Sequence, residues 1–296
     1  MDGADPIEVD ELDPLSDAAV ARLRADPRFR EAAESFAAEA LREFERADEA
    51  TRWLQKDLGR ASLYMACAIL DLAPEGLTVT GLAATAASAG VCSRGRVLAF
   101  IHYALDSGRL TLAAGPEPWI RRRLTLTPMF MDNMRQRLHG GLESAALVAP
   151  EIAAALPKLR SDAIVSRATA AVGFLLKARP ELNRNPGGPL RQIFIARDGG
   201  MRVLQHLMLR QDPGRERLMQ TAEISRADLS RRFGVSRTHI TRLLADAEAA
   251  GALTLPAPEQ VVFAPAFSDE VEAYCAGQLQ VMRTIAQTLM SASPAA

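Results

Sequence analysis

Apolar positions recur at helical spacing through MRVLQHLMLRQ (201–211), where Val203, Leu204, Leu207 and Leu209 share a face before Asp-Pro-Gly breaks the run. Downstream, Ser225 is placed to cap a short helix carrying Leu229 and Phe233, and Gly234 supplies a left-handed turn. Ser236 caps a further helix in which Ile240, Leu243, Leu244 and Ala247 share an inward face, while Arg237, Thr238, Thr241 and Arg242 lie toward the other. Gly251 ends that helix, and LTLPAPEQVVFAP gives two short strands around a Pro-containing turn. Helix, helix, Gly turn, helix and hairpin is the order of a winged helix-turn-helix.

The pattern occurs twice. SRGRVLAFIHYALDSGRLTL (93–112) aligns with SRTHITRLLADAEAAGALTL (236–255), 143 residues on, and DLGR (57–60) aligns with DGGM (198–201), 141 residues on. TPMFMDNMRQRLHGGL (127–142) aligns with APAFSDEVEAYCAGQL (264–279) at 137, so the first copy has a loop about six residues longer between its blocks. Two copies of one unit in a chain resemble a homodimer fused into one polypeptide. Helical stripes elsewhere supply the means of joining them. One runs along 30–58 through Phe36, Ala40, Phe44, Ala47, Leu54 and Leu58, and another along 268–290 through Val271, Leu279, Met282 and Ile285. With counterparts near 130–156 and 162–178 they predict a shared four-helix hub. PELNRNPGGPLRQ (180–192) reads as a loop inside the second unit, and the boundary between units falls near 150–161. The expected fold is therefore mainly α: two winged helix-turn-helix units with small β-hairpin wings, at 26–150 and 151–296, joined by a helical pseudo-dimerisation hub.

Composition agrees with a helical chain: 48% of the 296 residues are hydrophobic and only 5% aromatic. The net charge of −1 hides an asymmetry. Residues 1–50 carry fifteen Asp/Glu against six Arg, hence −9, while 191–245 carry eleven Arg against five Asp/Glu, hence +6. Residues 1–25 read as an acidic, flexible arm, with an electrostatic mimic of DNA as the alternative. The N-terminus lacks a signal-peptide core and no apolar run spans a membrane, so the expected location is cytoplasmic and no membrane partner is expected. Cys67, Cys92 and Cys275 form no metal spacing or disulfide framework.

The chemistry of the second copy suits double-stranded DNA. An arginine fork at a helix N-terminus can bond guanine O6 and N7 together. Arg237, Thr238, Thr241 and Arg242 are the candidate base readers, with Arg226, Arg231 and Arg232 on the preceding helix as phosphate contacts. In the first copy Leu98 and Ala99 replace Thr241 and Arg242, leaving Arg94 and Arg96. Its hairpin, LTLAAGPEPWIRRRLTLTP (110–128), is more basic: a strand is expected in which Ile120, Leu124 and Leu126 face one way and Arg121 and Arg123 the other. Trp119 reads as a core cover. Cys92, beside a helix N-terminus and Arg94, is a candidate redox thiol, against the commoner inert, half-buried cysteine.

The order helix, recognition helix, "LDSGRLTL", loop, "RRRLTLTP" and long helix resembles the MarR family of winged-helix transcription regulators. The resemblance covers 30–145 and 165–290. It implies dimerisation through terminal helices, here a monomer acting as a pseudo-dimer with higher oligomers open, and a small hydrophobic effector held between that region and the DNA-binding lobe. The second copy departs from the family in having no wing arginine.

His102, His139, His206 and His239 are scattered without paired acids, and no glycine-rich phosphate loop is present, so neither an enzyme nor a cofactor or metal site is expected. The lead expectation is a sequence-specific DNA-binding transcription regulator. Two alternatives are a winged-helix protein-interaction scaffold, which would use Leu98 and Ala99, and a replication or partition DNA-binding protein.

Overall fold

The structure, a computed structural model, describes residues 16–90, 92–178, 187–212 and 214–291. It is mainly helical with small antiparallel sheets. The first half comprises α1 (Asp17–Arg24), α2 (Phe29–Arg46), α3 (Glu49–Leu54), α4 (Leu58–Asp71), α5 (Val79–Ser88), α6 (Arg94–Asp106), β1 (Leu110–Leu112), β2 (Leu124–Leu126) and α7 (Pro128–Ala146). A 3₁₀ helix, Pro150–Arg160, leads into α8 (Asp162–Ala178). The second half continues with a π-helical turn, Leu190–Ile195, then α9 (Gly200–Met208), β3 (Thr221–Glu223), α10 (Arg226–Phe233) and α11 (Arg237–Ala249). It closes with β4 (Leu253–Ala257), β5 (Gln260–Phe263) and α12 (Pro265–Ser291).

Residues aligned by the repeat occupy equivalent places. Ser93 caps α6 by accepting from the Arg96 N–H, and Ser236 caps α11 by accepting from the His239 N–H. Val97, Phe100, Ile101 and Ala104 on α6 are fully buried, as are their counterparts Ile240, Leu243, Leu244 and Ala247 on α11. Gly108 and Gly251 close these helices at φ of 70° and 72°, a conformation that costs least without a Cβ. Each half also pairs a strand ahead of its second helix with the hairpin. In the second half the order is β3-β5-β4; in the first the same contact shrinks to one bridge, Thr78 to Arg123, beside the β1-β2 pair.

α2, α7, α8 and α12 pack on one another as a helical hub, and one continuous core runs from α1 to α12. Close approach is built from small residues. A Cβ on Gly141 of α7 would come within 2.7 Å of the Met282 sulfur on α12, and one on Gly140 within 3.1 Å of the Glu39 Cβ on α2. α2 also crosses to the second half: it packs on α9, and Arg30 donates to the carbonyls of Arg215 and Glu216 at 2.8 and 2.7 Å.

Several expectations need correction. The stripe over 30–58 is three helices rather than one. Ala47 is extended, and Asp48 starts α3 by accepting from the Thr51 N–H at 2.8 Å. The buried face of α2 is Phe29, Ala32, Ala33, Ala37 and Leu41; Phe36, Ala40 and Phe44 lie beside it, half-buried. The helix expected over 130–156 stops at Ala146, and Pro157 sits within the 3₁₀ segment. Of the expected loop, 180–186 lie outside the described residues, while Leu190–Ile195 is helical. Residues 17–24 of the expected flexible arm form α1, which docks on α12 through buried Ala19 and Leu23 and through Arg24 to Asp269 and Glu272 at 2.9 and 2.6 Å. Residues 1–15 lie outside the described residues.

Candidate nucleic-acid interface

α11 is anchored by its inward apolar face, so the residues between those positions must face solvent. Arg237, Thr238, Thr241 and Arg242 are all exposed, the first two in the opening turn, where unpaired N–H groups favour an anion. Among the described residues, no side chain or carbonyl engages the Arg237 or Arg242 guanidinium, whereas the Thr241 hydroxyl donates to the Arg237 carbonyl at 3.0 Å. Two of the four thus present fully unsatisfied planar donors.

The remaining candidates divide into free and engaged groups. Arg231 is exposed and held only by Asp228 within α10, at 3.3 Å. Arg232 instead reaches across to α2 and pairs with Glu45, and Arg226 donates to the Pro258 carbonyl at the tip of the second hairpin. Both are engaged within the protein rather than free. Arg94 and Arg121 are exposed and, among the described residues, have no partner. Arg96 lies 3.5 Å from the buried Asp57 carboxylate.

The first hairpin differs from expectation. No strand passes through Ile120. The Arg121 N–H and Arg122 N–H both donate to the Pro118 carbonyl, at 2.8 and 3.3 Å, forming a turn, and the Ile120 carbonyl accepts from the Thr80 N–H and hydroxyl at 3.1 and 3.0 Å. Arg121 and Arg123 therefore do not form one basic edge. Arg123 folds back to the end of α4, donating to the Asp71 carbonyl at 3.3 Å and lying 3.8 Å from its carboxylate. Trp119 lies over the outward face of α6, its ring 5.2 Å from that of exposed His102. Leu98 is half-buried and Ala99 exposed.

A cavity of about 630 Å³ lies between the hub and the two halves, with Met65, Met134, Arg137, Arg202, Tyr274 and Met282 in its wall. Arg202 donates to the Ala40 carbonyl and to Gln205 Oε1, both at 3.0 Å, and lies over the Phe44 ring; among the described residues no carboxylate pairs with it. Burial, added to by Arg137 and opposed by Glu43, brings this guanidinium down to about 10. Burial pushes the Cys92 thiol up, against the opposing pull of Arg96. Among the described residues, no cluster of His, Cys, Asp or Glu could hold a metal, and no helix is long and apolar enough to cross a membrane.

No protein-family model, no curated protein and no solved structure matches the chain.

Proposed function

We propose that the chain is a sequence-specific double-stranded DNA-binding transcription regulator, built from two winged helix-turn-helix units and acting in the cytoplasm as an intrachain pseudo-dimer. The observation that carries this is the outward face of α11, where Arg237 and Arg242 are exposed and, among the described residues, have no partner. Buried or paired arginines serve packing; a pair left free beside a capped helix N-terminus suits guanine edges and phosphates. Arg231, Arg94 and Arg121 add sequence-independent phosphate contacts. The effector implied by the MarR resemblance would occupy the central cavity, and with Arg202 in the wall it would carry an anionic group on its apolar body.

The test is selection of the purified protein against sheared DNA of its source, washed at two salt concentrations. Discrete sites that persist at the higher salt are expected, because nonspecific binding falls steeply with salt. Absence of enriched sites at either concentration would favour the second reading, a protein-interaction scaffold. That reading draws on the first half, where Trp119 covers part of α6 and Ala99 replaces a charged residue.

A further inference from the structure

Asp57 and Asp198 are repeat equivalents, and the turns that carry them meet each other between the two halves. Lys56 Nζ lies 3.0 Å from the Asp198 carboxylate, and the Gly199 N–H donates to the Lys56 carbonyl at 3.3 Å. Each turn then touches the outward helix of its own half, at equivalent positions. The Asp57 carboxylate, which caps α4 by accepting from the Arg60 N–H at 3.0 Å, lies 3.5 Å from Arg96 on α6. The Asp198 carbonyl lies 2.8 Å from His239 Nε2 on α11, and since a carbonyl only accepts, that nitrogen carries the proton. Arg96 and His239 are themselves 143 residues apart, the offset of the repeat in this block.

The second turn is held further. Arg197 pairs with Asp246 on α11, and Gly199 packs so closely on the bend before α11 that a Cβ would reach Val235 Cγ1 at 3.1 Å. At φ 66° only glycine takes this shape without strain. A short chain of direct contacts thus leads from α6 through Asp57, Lys56 and Asp198 to α11.

We infer that these paired turns are the positioning element for the two outward helices, with Lys56 and Asp198 joining the sides. The consequence for DNA, which rests on α6 and α11 being the helices that face it, is that this junction sets the spacing at which the two half-sites are engaged. Half-exposed ion pairs add little to global stability, so the role of this one is geometric.

Spin labels on Ala99→Cys and Ala245→Cys, in a Cys92→Ser background, report the separation of α6 and α11 without any DNA. A narrow distance distribution is expected for the parent. Lys56→Glu should broaden or displace it while moving the melting temperature by no more than about 4 °C. Adding Asp198→Lys, which restores the pair with signs exchanged, should narrow it again. A Lys56→Glu chain with the parent's distribution overturns the inference, as does a charge exchange that leaves the distribution broad. Because no DNA is present, these outcomes are separate from success or failure of the DNA-binding reading. On DNA, Lys56→Glu should lose discrimination between operators whose half-sites differ in spacing by one base pair; undiminished discrimination overturns the consequence for spacing.

Discussion

α6 and α11 bury the same four positions and show different faces to solvent. Inside, Val97, Phe100, Ile101 and Ala104 match Ile240, Leu243, Leu244 and Ala247, all without exposure. Outside, Ala99 and His102 stand where α11 carries Arg242 and Ala245, and Trp119 from the hairpin lies on His102. Packing constrains the inner positions in both copies, because any change of volume there is felt at once. The outer positions carry no such constraint and have diverged. The two helices keep one packed interior and present different chemistry to solvent.

The comparison is tested first at its strongest point, the shared interior. Phe100→Ala should cost about 3–5 kcal/mol and Leu243→Ala about 2–5 kcal/mol. Because one continuous core runs through both halves, each should lower a single calorimetric transition. Two separate transitions, each moved by only one variant, would show halves that unfold independently.

The outer faces are tested next. Arg237→Ala should cost about 1–3 kcal/mol on the preferred sequence and far less on others, relaxing specificity in a binding-site selection. Its counterpart Arg94→Ala should weaken all sequences alike. Equal, uniform losses for both would erase the proposed division between a base-reading half and a phosphate-holding half.

A smaller effect separates two arginines of the first hairpin. Arg121→Ala should reduce the slope of log affinity against log salt by about 1, whereas Arg123→Ala should leave it nearly unchanged, since Arg123 is already engaged with Asp71. Matching slopes for the two variants would mean that the Asp71 contact opens on DNA.

The last test concerns acid. His206 on α9 stands where α4 has Met65. Its imidazole is held below the usual 6.5 by burial, then by Arg232 and Arg210, with Asp228 and Glu45 opposing. The unfolded chain takes up this proton more readily than the folded one. The contribution to stability is therefore intact above pH 6.5 and is lost as pH falls below it toward the folded value. His206→Met, copying the first half, should flatten the acid limb of a stability–pH curve measured by denaturant midpoint. An unchanged limb would assign the acid sensitivity to other groups.

The second half was the more legible in sequence because its punctuation is local. Ser225, Gly234, Ser236 and Gly251 each act within one turn of chain, and the structure has a cap or a left-handed residue at each. The first half depends on longer-range contacts. The turn at Pro118–Arg122 exists because Thr80 on α5 holds the Ile120 carbonyl, and alternation of apolar residues could not reveal that. The buried face of α2 follows from the residues opposite it, so the larger Phe36 and Phe44 misled where Ala32, Ala33 and Ala37 allow close packing. Asp48 is a local signal of the same kind: an Asp with an acidic Glu49 directly after it marks a helix start, and its side chain accepts from the Thr51 N–H. The free arginines of α11 were visible as types and spacing. The tethering of Arg232 and Arg123 was not, since both partners are distant in sequence.

The Pro150–Arg160 segment packs Ile152, Ala155 and Leu159 into the core, between α7, α8 and α12. It is a fitted joint rather than a slack tether. Bringing the halves together is then a unimolecular event, with an effective concentration set by the chain and not by the cell. Dilution cannot separate such a pair. A two-sided DNA-binding surface assembled this way would respond in proportion to the number of chains present, where a dissociable dimer would respond to its square.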